Sequence, residues 1–369
     1  MSKVFDYTSL ANRVSAQFPT FAYVGTQINF WILANILLVT ILHFSAVMFS
    51  STFRSTVIVG FDISLTVALA FGILYGTGIG MATYYLDKKY FRTFSLGKVL
   101  LIKTFISLFL LIILLLLLRV TLVLIFPNSI GFNLSEKLWN NLFVLLIVYY
   151  SFMSLVINFV NQMNKKFGPG VLIPLLLGQY RKPREEERIF MFMDLKSSTS
   201  TAEKLGHLKY SSFIRDCFMD INKILSFYHA QVYQYVGDEI VLMWPPTQGL
   251  KNNDCLKFYF ACRKQFEDRE KYYLSTYGFL PFFKAGVHIG PVTAVEIGDV
   301  KKDIAYHGDT LNTAARIQSL CNQFEKDLIA SESLFNRIIN RGIFQFEHLG
   351  MTFVRGKAKE VGIVSVSEF

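Results

Sequence analysis

The sequence predicts an α-helical membrane domain of four spans followed by an α/β domain. Three observations carry that expectation. Of 369 residues, 52% are hydrophobic and the mean hydropathy is +0.38. Four long apolar stretches precede residue 161, and from residue 189 short strand-like runs alternate with amphipathic helices. The net charge of +10 could suit a nucleic acid. The basic residues form no long patch, however, and several flank the apolar stretches, so membrane topology explains the charge and no nucleic-acid partner is expected.

A spanning helix needs about 20 apolar residues, and stretches 29–50, 57–85, 99–126 and 138–160 qualify. Residues 1–28 are expected to form an N-terminal segment and 29–160 the membrane domain. Lys3 and Arg13 precede the first span, Lys88, Lys89, Arg92 and Lys98 separate the second from the third, and Lys165, Lys166, Arg181, Lys182 and Arg184 follow the fourth. The other two loops, near Arg54 and Lys137, carry little charge. This alternation predicts a multi-pass protein of the plasma or inner membrane, with the N-terminus and everything after the fourth span in the cytosol.

Inside the spans, His43, Asp62 and Arg119 lie at similar depth, about 10 Å below the outer surface at 1.5 Å rise per residue. They predict an Asp62–Arg119 ion pair with His43 nearby; the alternative is that the charges snorkel outward. Gly72, Gly76 and Gly80 line one groove, for close packing within the bundle or for dimerisation. Residues 161–187 are expected to be a linker, with Gly168-Pro-Gly170, a short apolar run broken by Pro174 and a charged stretch from Arg181 to Arg188. It reads as an interfacial segment or as a coupling element.

Residues 188–369 read as one α/β domain. Strands are expected at 189–193, 232–236 and 240–244, helices at 208–229, 254–275 and 310–321, and a hairpin of 283–288 with 292–297 around Gly290-Pro291. The four cysteines, Cys217, Cys255, Cys262 and Cys321, have no metal-like spacing and read as reduced thiols.

Asp194 ends the first of these strands and Asp238 occupies the turn between the next two. Neighbouring aspartates repel unless a cation lies between them, and Mg²⁺-like ions favour oxygen ligands completed by phosphates. An isolated pair is weak by itself, because Asp is common in turns. The small hydroxyl residues of Lys196-Ser-Ser-Thr199 suit either phosphate contact or a plain helix cap. Asn312 and Arg316 are four apart and share a helix face, where they could meet a ribose and a phosphate. Val354-Arg-Gly-Lys357 suits a triphosphate or a solvated turn.

Five segments in order, Phe192-Met-Asp-Leu-Lys-Ser-Ser-Thr199, Tyr235-Val-Gly-Asp-Glu239, Ala285-Gly-Val-His-Ile-Gly-Pro291, Gly308-Asp-Thr-Leu-Asn-Thr-Ala-Ala-Arg316 and Val354-Arg-Gly-Lys357, resemble the class III adenylate/guanylate cyclase catalytic domain. The resemblance covers residues 188–365, and a cyclase with four spans resembles bacterial receptor-like members. It implies a ferredoxin-like βαββαβ core and the conversion of a nucleoside triphosphate to a 3′,5′-cyclic monophosphate and pyrophosphate. Two divalent metal ions, Mg²⁺ or Mn²⁺, are implied on Asp194, Asp238 and the Leu195 carbonyl. Asn312 and Arg316 are the implied catalytic pair, and Thr199, Arg355 and Lys357 the implied substrate contacts. Arg355 stands where the family usually has lysine. The site is shared between two domains, which implies a homodimer.

Gln234 and Ala305 occupy the base-reading positions, where adenylate cyclases carry Lys with Asp or Thr and guanylate cyclases carry Glu with Cys. Gln donates or accepts and Ala does neither. ATP is expected over GTP from the prevalence of adenylate cyclases among bacterial relatives. The alternatives are a guanylate cyclase and a membrane receptor whose cyclase-like domain only binds nucleotide. Ser197-Ser198 departs from the Gly-Phe usual in many members.

Overall fold

The computed structural model describes residues 19–53, 60–90, 94–125, 136–167, 178–300, 302–339, 341–352 and 360–369. They fall into two compact units divided near residue 170.

The first unit holds α1 (Pro19–Phe53), α2 (Phe61–Lys89), α3 (Leu96–Ile125) and α4 (Glu136–Phe167). All four are long and apolar enough to cross a membrane. Each runs past its apolar stretch at one or both ends, because hydropathy marks the part that needs lipid and not the length of the hydrogen-bonded helix. In the interior Trp31 meets Tyr75 edge-on with ring centroids 4.5 Å apart and stacks on Tyr150 at 5.2 Å. The phenols are satisfied: Tyr150 donates to Asn35 Oδ1 at 2.6 Å and Tyr75 to the Ser107 carbonyl at 2.7 Å.

The glycine groove on α2 is filled by α1. A Cβ at Gly72 would lie 2.9 Å from Ile32 Cα, one at Gly76 2.7 Å from Ile28 Cα, and one at Gly80 3.1 Å from Val24 Cα. The groove serves packing within the bundle, where small residues let two backbones approach.

The expected Asp62–Arg119 pair does not form. The Arg119 guanidinium lies 5.9 Å from the Trp139 ring centroid, a cation–π contact, and Asp62 occupies the first turn of α2, where the helix dipole favours it. The His43 ring lies 5.0 Å from that of Phe61, the residue before Asp62. The buried ion pair is a different one. Lys103, 1% exposed, reaches both Asp87 oxygens at 2.8 and 2.9 Å, tying α3 to the end of α2, and the Tyr23 hydroxyl of α1 donates to the same carboxylate at 3.3 Å.

The second unit is a mixed sheet with helices on both faces. Its elements are β1 (Arg184–Leu195), α5 (Ser198–Leu205), α6 (His207–Ile224), β2 (Gln231–Val236), β3 (Glu239–Trp244), α7 (Asp254–Glu267), α8 (Glu270–Tyr277), β4 (Phe283–Ile297), β5 (Asp303–His307), α9 (Asp309–Gln323), β6 (Leu328–Ser331), β7 (Phe344–Thr352) and β8 (Val361–Glu368). The order is β2-β3-β1-β4-β6-β8-β7, with β5 on β4. The first four strands are antiparallel neighbours in the ferredoxin-like arrangement expected, and β4–β6 is parallel. One face buries Ile189, Met191, Met193 and Leu195 of β1 with Phe213, Cys217 and Ile221 of α6 and Phe258 and Cys262 of α7. The other buries Phe190 with Val241, Val292, Tyr306 and Ala314 of α9. The four cysteines are free and buried.

Three local expectations are corrected. The hairpin around Gly290-Pro291 is one continuous strand, β4. Pro291 is tolerated because its carbonyl accepts from the Thr310 hydroxyl at 2.7 Å, away from β1, so the missing N–H also points away from that ladder. The helix expected at 254–275 breaks after Glu267: Arg269 turns back to give Asp220 two hydrogen bonds, at 2.7 and 2.6 Å. Finally, Arg184–Glu187, expected at the end of the linker, is strand, paired to β4 from Ala294 to Pro291.

Candidate active site

Strand alternation decides which way the first aspartate faces. Odd-numbered residues of β1 fill the core beneath α6 and α7, so Phe190, Phe192 and Asp194 share the opposite face, the one α9 partly covers. Across the ladders Asp194 is the direct partner of Glu239 on β3 and of Lys284 on β4. Lys284 directs its ammonium to the end of α9, donating to Asn322 Oδ1 at 3.0 Å and to the Cys321 carbonyl at 3.5 Å.

Asp238 sits in the two-residue turn between β2 and β3. Gly237 takes φ +61 there, and Asp238 is not in the left-handed region, the type II′ arrangement that selects glycine first. The turn carries Asp238 close enough for its charge to act on Asp194. Burial, and then that charge, raise the Asp194 pKa, while the Leu195 amide and the Gln318 side chain oppose the rise by hydrogen bonding the carboxylate. Glu239 is pushed up to about 7 by burial and by the charges of Asp194 and Asp238.

Asp194 and Asp238, with Glu239 beside them, offer oxygen donors alone, a chemistry that fits a hard divalent cation. Among the described residues no three His, Cys, Asp or Glu side chains gather to hold an ion by themselves. An ion held here would need water or substrate oxygens to complete its ligand set.

Beside the carboxylates the chain turns sharply. Lys196 N–H donates to the Phe282 carbonyl at 2.8 Å, Ser197 is left-handed at φ +58, and α5 starts at Ser198 without a side-chain cap. Thr199 is exposed in its first turn. Tyr210 of α6 packs against the core, with its hydroxyl within electrostatic reach of both aspartates. Its pKa is raised by burial, then by Asp238, with a smaller contribution from Asp194.

Asn312 is exposed and Arg316 half-buried on α9, while Thr313, Ala314 and Ile317 face inward. The helix lies tight on β4, since a Cβ at Gly286 would run into the backbone of Gln318 and Ala314. Among the described residues no hydrogen bond or ion pair joins Asn312 or Arg316 to Asp194 or Asp238. Gln234 is exposed and Ala305 buried on β2 and β5. Their neighbours Tyr233 and Tyr306 bring these strands together: the Tyr306 N–H donates to the Tyr233 hydroxyl at 3.4 Å, and the rings lie 5.4 Å apart. Arg355 and Lys357 lie outside the described residues.

Sequence reasoning missed Glu239, Gln318 and Tyr210 as neighbours of the aspartates. Glu239 carried a signal, the parity it shares with Asp194 across an antiparallel ladder. Gln318 and Tyr210 carried none, because tertiary packing brings them in.

Residues 181–364 match the family model described as the adenylate and guanylate cyclase catalytic domain. The protein named Adenylate cyclase 2 of Rhizobium meliloti (strain 1021) is 33% identical over 221 residues, 60% of this chain and 61% of that protein. The one named Adenylate cyclase of Anabaena cylindrica is 23% identical over 184 residues, 48% of this chain and 36% of that one. The chain therefore spans less than two thirds of either relative. A solved bacterial light-regulated adenylyl cyclase shares the fold, with a TM-score of 0.51 and 20% identity over 59% of this chain and 64% of that one.

Proposed function

Residues 181–364 belong to the adenylate and guanylate cyclase catalytic domain family, and from that membership we propose that the protein is a membrane-bound adenylate cyclase working as a homodimer. The observation that carries the reading is the convergence of Asp194 and Asp238, each held by a strand end or a tight turn, with Asp238 raising the Asp194 pKa.

In this reading Asp194, Asp238 and the Leu195 carbonyl hold two Mg²⁺ or Mn²⁺ ions. When bound, such ions favour ionisation of the ribose 3′-hydroxyl and neutralise the pyrophosphate. The 3′-oxygen bonds to the α-phosphorus, the bond to the β-phosphate's bridging oxygen breaks, and the hydroxyl proton leaves to solvent. Asn312 of a second copy orients the ribose, and its Arg316 meets the charge on the transferring phosphorus. Their outward placement on α9, with no bond to the carboxylates of the same chain, supports a site completed by another copy. Twofold symmetry then gives two equivalent sites. Thr199, Arg355 and Lys357 contact the triphosphate.

ATP is the preferred substrate: both named relatives are adenylate cyclases, and Gln234 can pair with an adenine edge. Ala305 leaves the base read from one side only. The charge of the loops supports a cytosolic catalytic domain.

Mixing two dead variants tests the shared site. Asp194→Asn and Asn312→Ala proteins, each inactive alone, are combined in equal amounts and reassembled. Half the dimers are then mixed, with one intact site in each, so about a quarter of wild-type turnover returns. No recovery, with mixed dimers shown to form, would contradict the shared site.

A further inference from the structure

Strand β2 is irregular at the position that decides where Gln234 faces. Val232 is the ladder partner of Leu242 and Gln234 of Val241, so β2 takes two steps where β3 takes one, and Tyr233 is the extra residue of a β-bulge. Val232 packs with the core beneath α6 and α7, while Val241 belongs to the opposite cluster with Phe190 and Tyr306. Strict alternation would put Gln234 on the Val232 face; the bulge turns it onto the face of Val241 and Asp194. Alternation then resumes. Tyr235 returns to α6, its hydroxyl donating to Asn222 Oδ1 at 2.8 Å and its ring 5.0 Å from that of Phe218.

Tyr233 is also packed in place. Its ring lies 6.0 Å from that of Phe190 and 5.4 Å from that of Tyr306, and those two are 5.8 Å apart, so three aromatic rings close a triangle on this face. The Tyr233 hydroxyl accepts, at 3.4 Å, from the N–H of the peptide that joins Ala305 to Tyr306. That bond is long, and the ring contacts carry most of the restraint. Arg188, bonded to both Glu186 oxygens at 3.1 and 3.0 Å, brings its guanidinium 5.9 Å from the Tyr306 ring centroid. Among the described residues β2 and β5 share no ladder, and these contacts connect them.

Resting on the cyclase reading, we propose that Tyr233 is a positioning residue for base recognition. The bulge it forms presents Gln234 to the nucleotide, and its packed ring fixes where the Gln234 amide stands relative to Ala305. Ala305 brings no polar side-chain group, so discrimination between purine edges rests on the placement of that amide.

The full chain in lipid, given ATP or GTP with Mn²⁺, tests this through the ratio of kcat/KM between the two nucleotides. Gln234→Ala is expected to bring that ratio toward one by about tenfold, the weight of one hydrogen bond. Tyr233→Ala is expected to do the same and the double alanine variant to be no worse than either single, while Tyr233→Phe, which keeps the ring, stays within about threefold of the wild-type ratio. An equal loss of kcat/KM for both nucleotides in Tyr233→Ala would make its role structural only and overturn the inference, as would an unchanged ratio in either alanine variant. Placement is read without turnover. The four native cysteines are buried, and residues 234 and 235 are both exposed, so Gln234→Cys and Tyr235→Cys each add one accessible thiol. With Mn²⁺, 3′-deoxy-ATP or 3′-deoxy-GTP, which lack the attacking hydroxyl, should slow maleimide labelling at position 234 by at least about fivefold and at position 235 by less than about twofold, because a bound base covers the wall it meets. Equal protection at both positions, or protection at 235 alone, would overturn this inference while leaving an active wild type as a cyclase. A wild type that turns over neither nucleotide, with position 234 unprotected, would overturn the cyclase reading and this inference together.

Discussion

Asp194 and Glu239 stand directly opposite each other across the β1–β3 ladder, and Asp238 precedes Glu239 in the turn, so three carboxylates share one patch of sheet. Without a cation the arrangement is self-repelling. Asp194→Asn and Asp238→Asn should each lower kcat by at least about 100-fold, since each removes charge stabilisation that acts in the transition state. Neither should lower the unfolding temperature in metal-free buffer, because each relieves repulsion. Parallel turnover assays and thermal melts check both statements, and retained turnover refutes the assignment.

Glu239 sets a pH dependence with a definite sign. Its pKa is pushed up to about 7 in the folded protein, above the ordinary 4.5. Between these values the folded state binds the proton more tightly than the unfolded one, so this group's contribution to stability falls as pH rises from about 4.5 to 7 and is level above. Melts of the metal-free protein across that range should slope downward, and Glu239→Gln should flatten the slope. An unchanged slope in Glu239→Gln would assign it to another group.

Much of the catalytic fold is legible in the sequence because strand alternation and the Gly-Asp turn are local rules. Asp194 and Asp238 are found that way, as are the four spans from hydropathy alone. Pro291 misleads, since its acceptability inside β4 depends on which side of the strand lacks a ladder partner. The intramembrane pairing was misread for a similar reason. Asp62 and Arg119 match in depth, but depth fixes neither helix face nor neighbour, and Arg119 finds Trp139 instead. Asp87 and Lys103 escape notice because they lie close to a loop rich in lysine and arginine, and only packing shows that Lys103 is buried.

That pair gives a stability prediction. Lys103→Met removes the ammonium that reaches both Asp87 oxygens and should cost about 3 kcal/mol, whereas Asp87→Asn/Lys103→Met together should recover most of it. Unfolding in lipid nanodiscs reads both. A double variant as unstable as the single would mean that the charges contribute beyond their mutual pairing.

The α1–α2 contact gives another. Gly76→Leu places a side chain against Ile28, where a Cβ alone would lie 2.7 Å from the backbone, and should destabilise the bundle by about 1–3 kcal/mol. Gly97→Ala, with nothing within 4 Å of the added carbon, should be neutral or slightly stabilising. The contrast separates packing from any general intolerance of the spans to substitution.

The most direct test of the central claim is product identification. The purified full chain in lipid is incubated with ATP or GTP and Mn²⁺, and the nucleotides are resolved by chromatography and mass. The account predicts 3′,5′-cyclic AMP and pyrophosphate in equal amounts, with cyclic GMP the minor product. Absence of any cyclic nucleotide from either substrate, with the protein folded and dimeric, would contradict it.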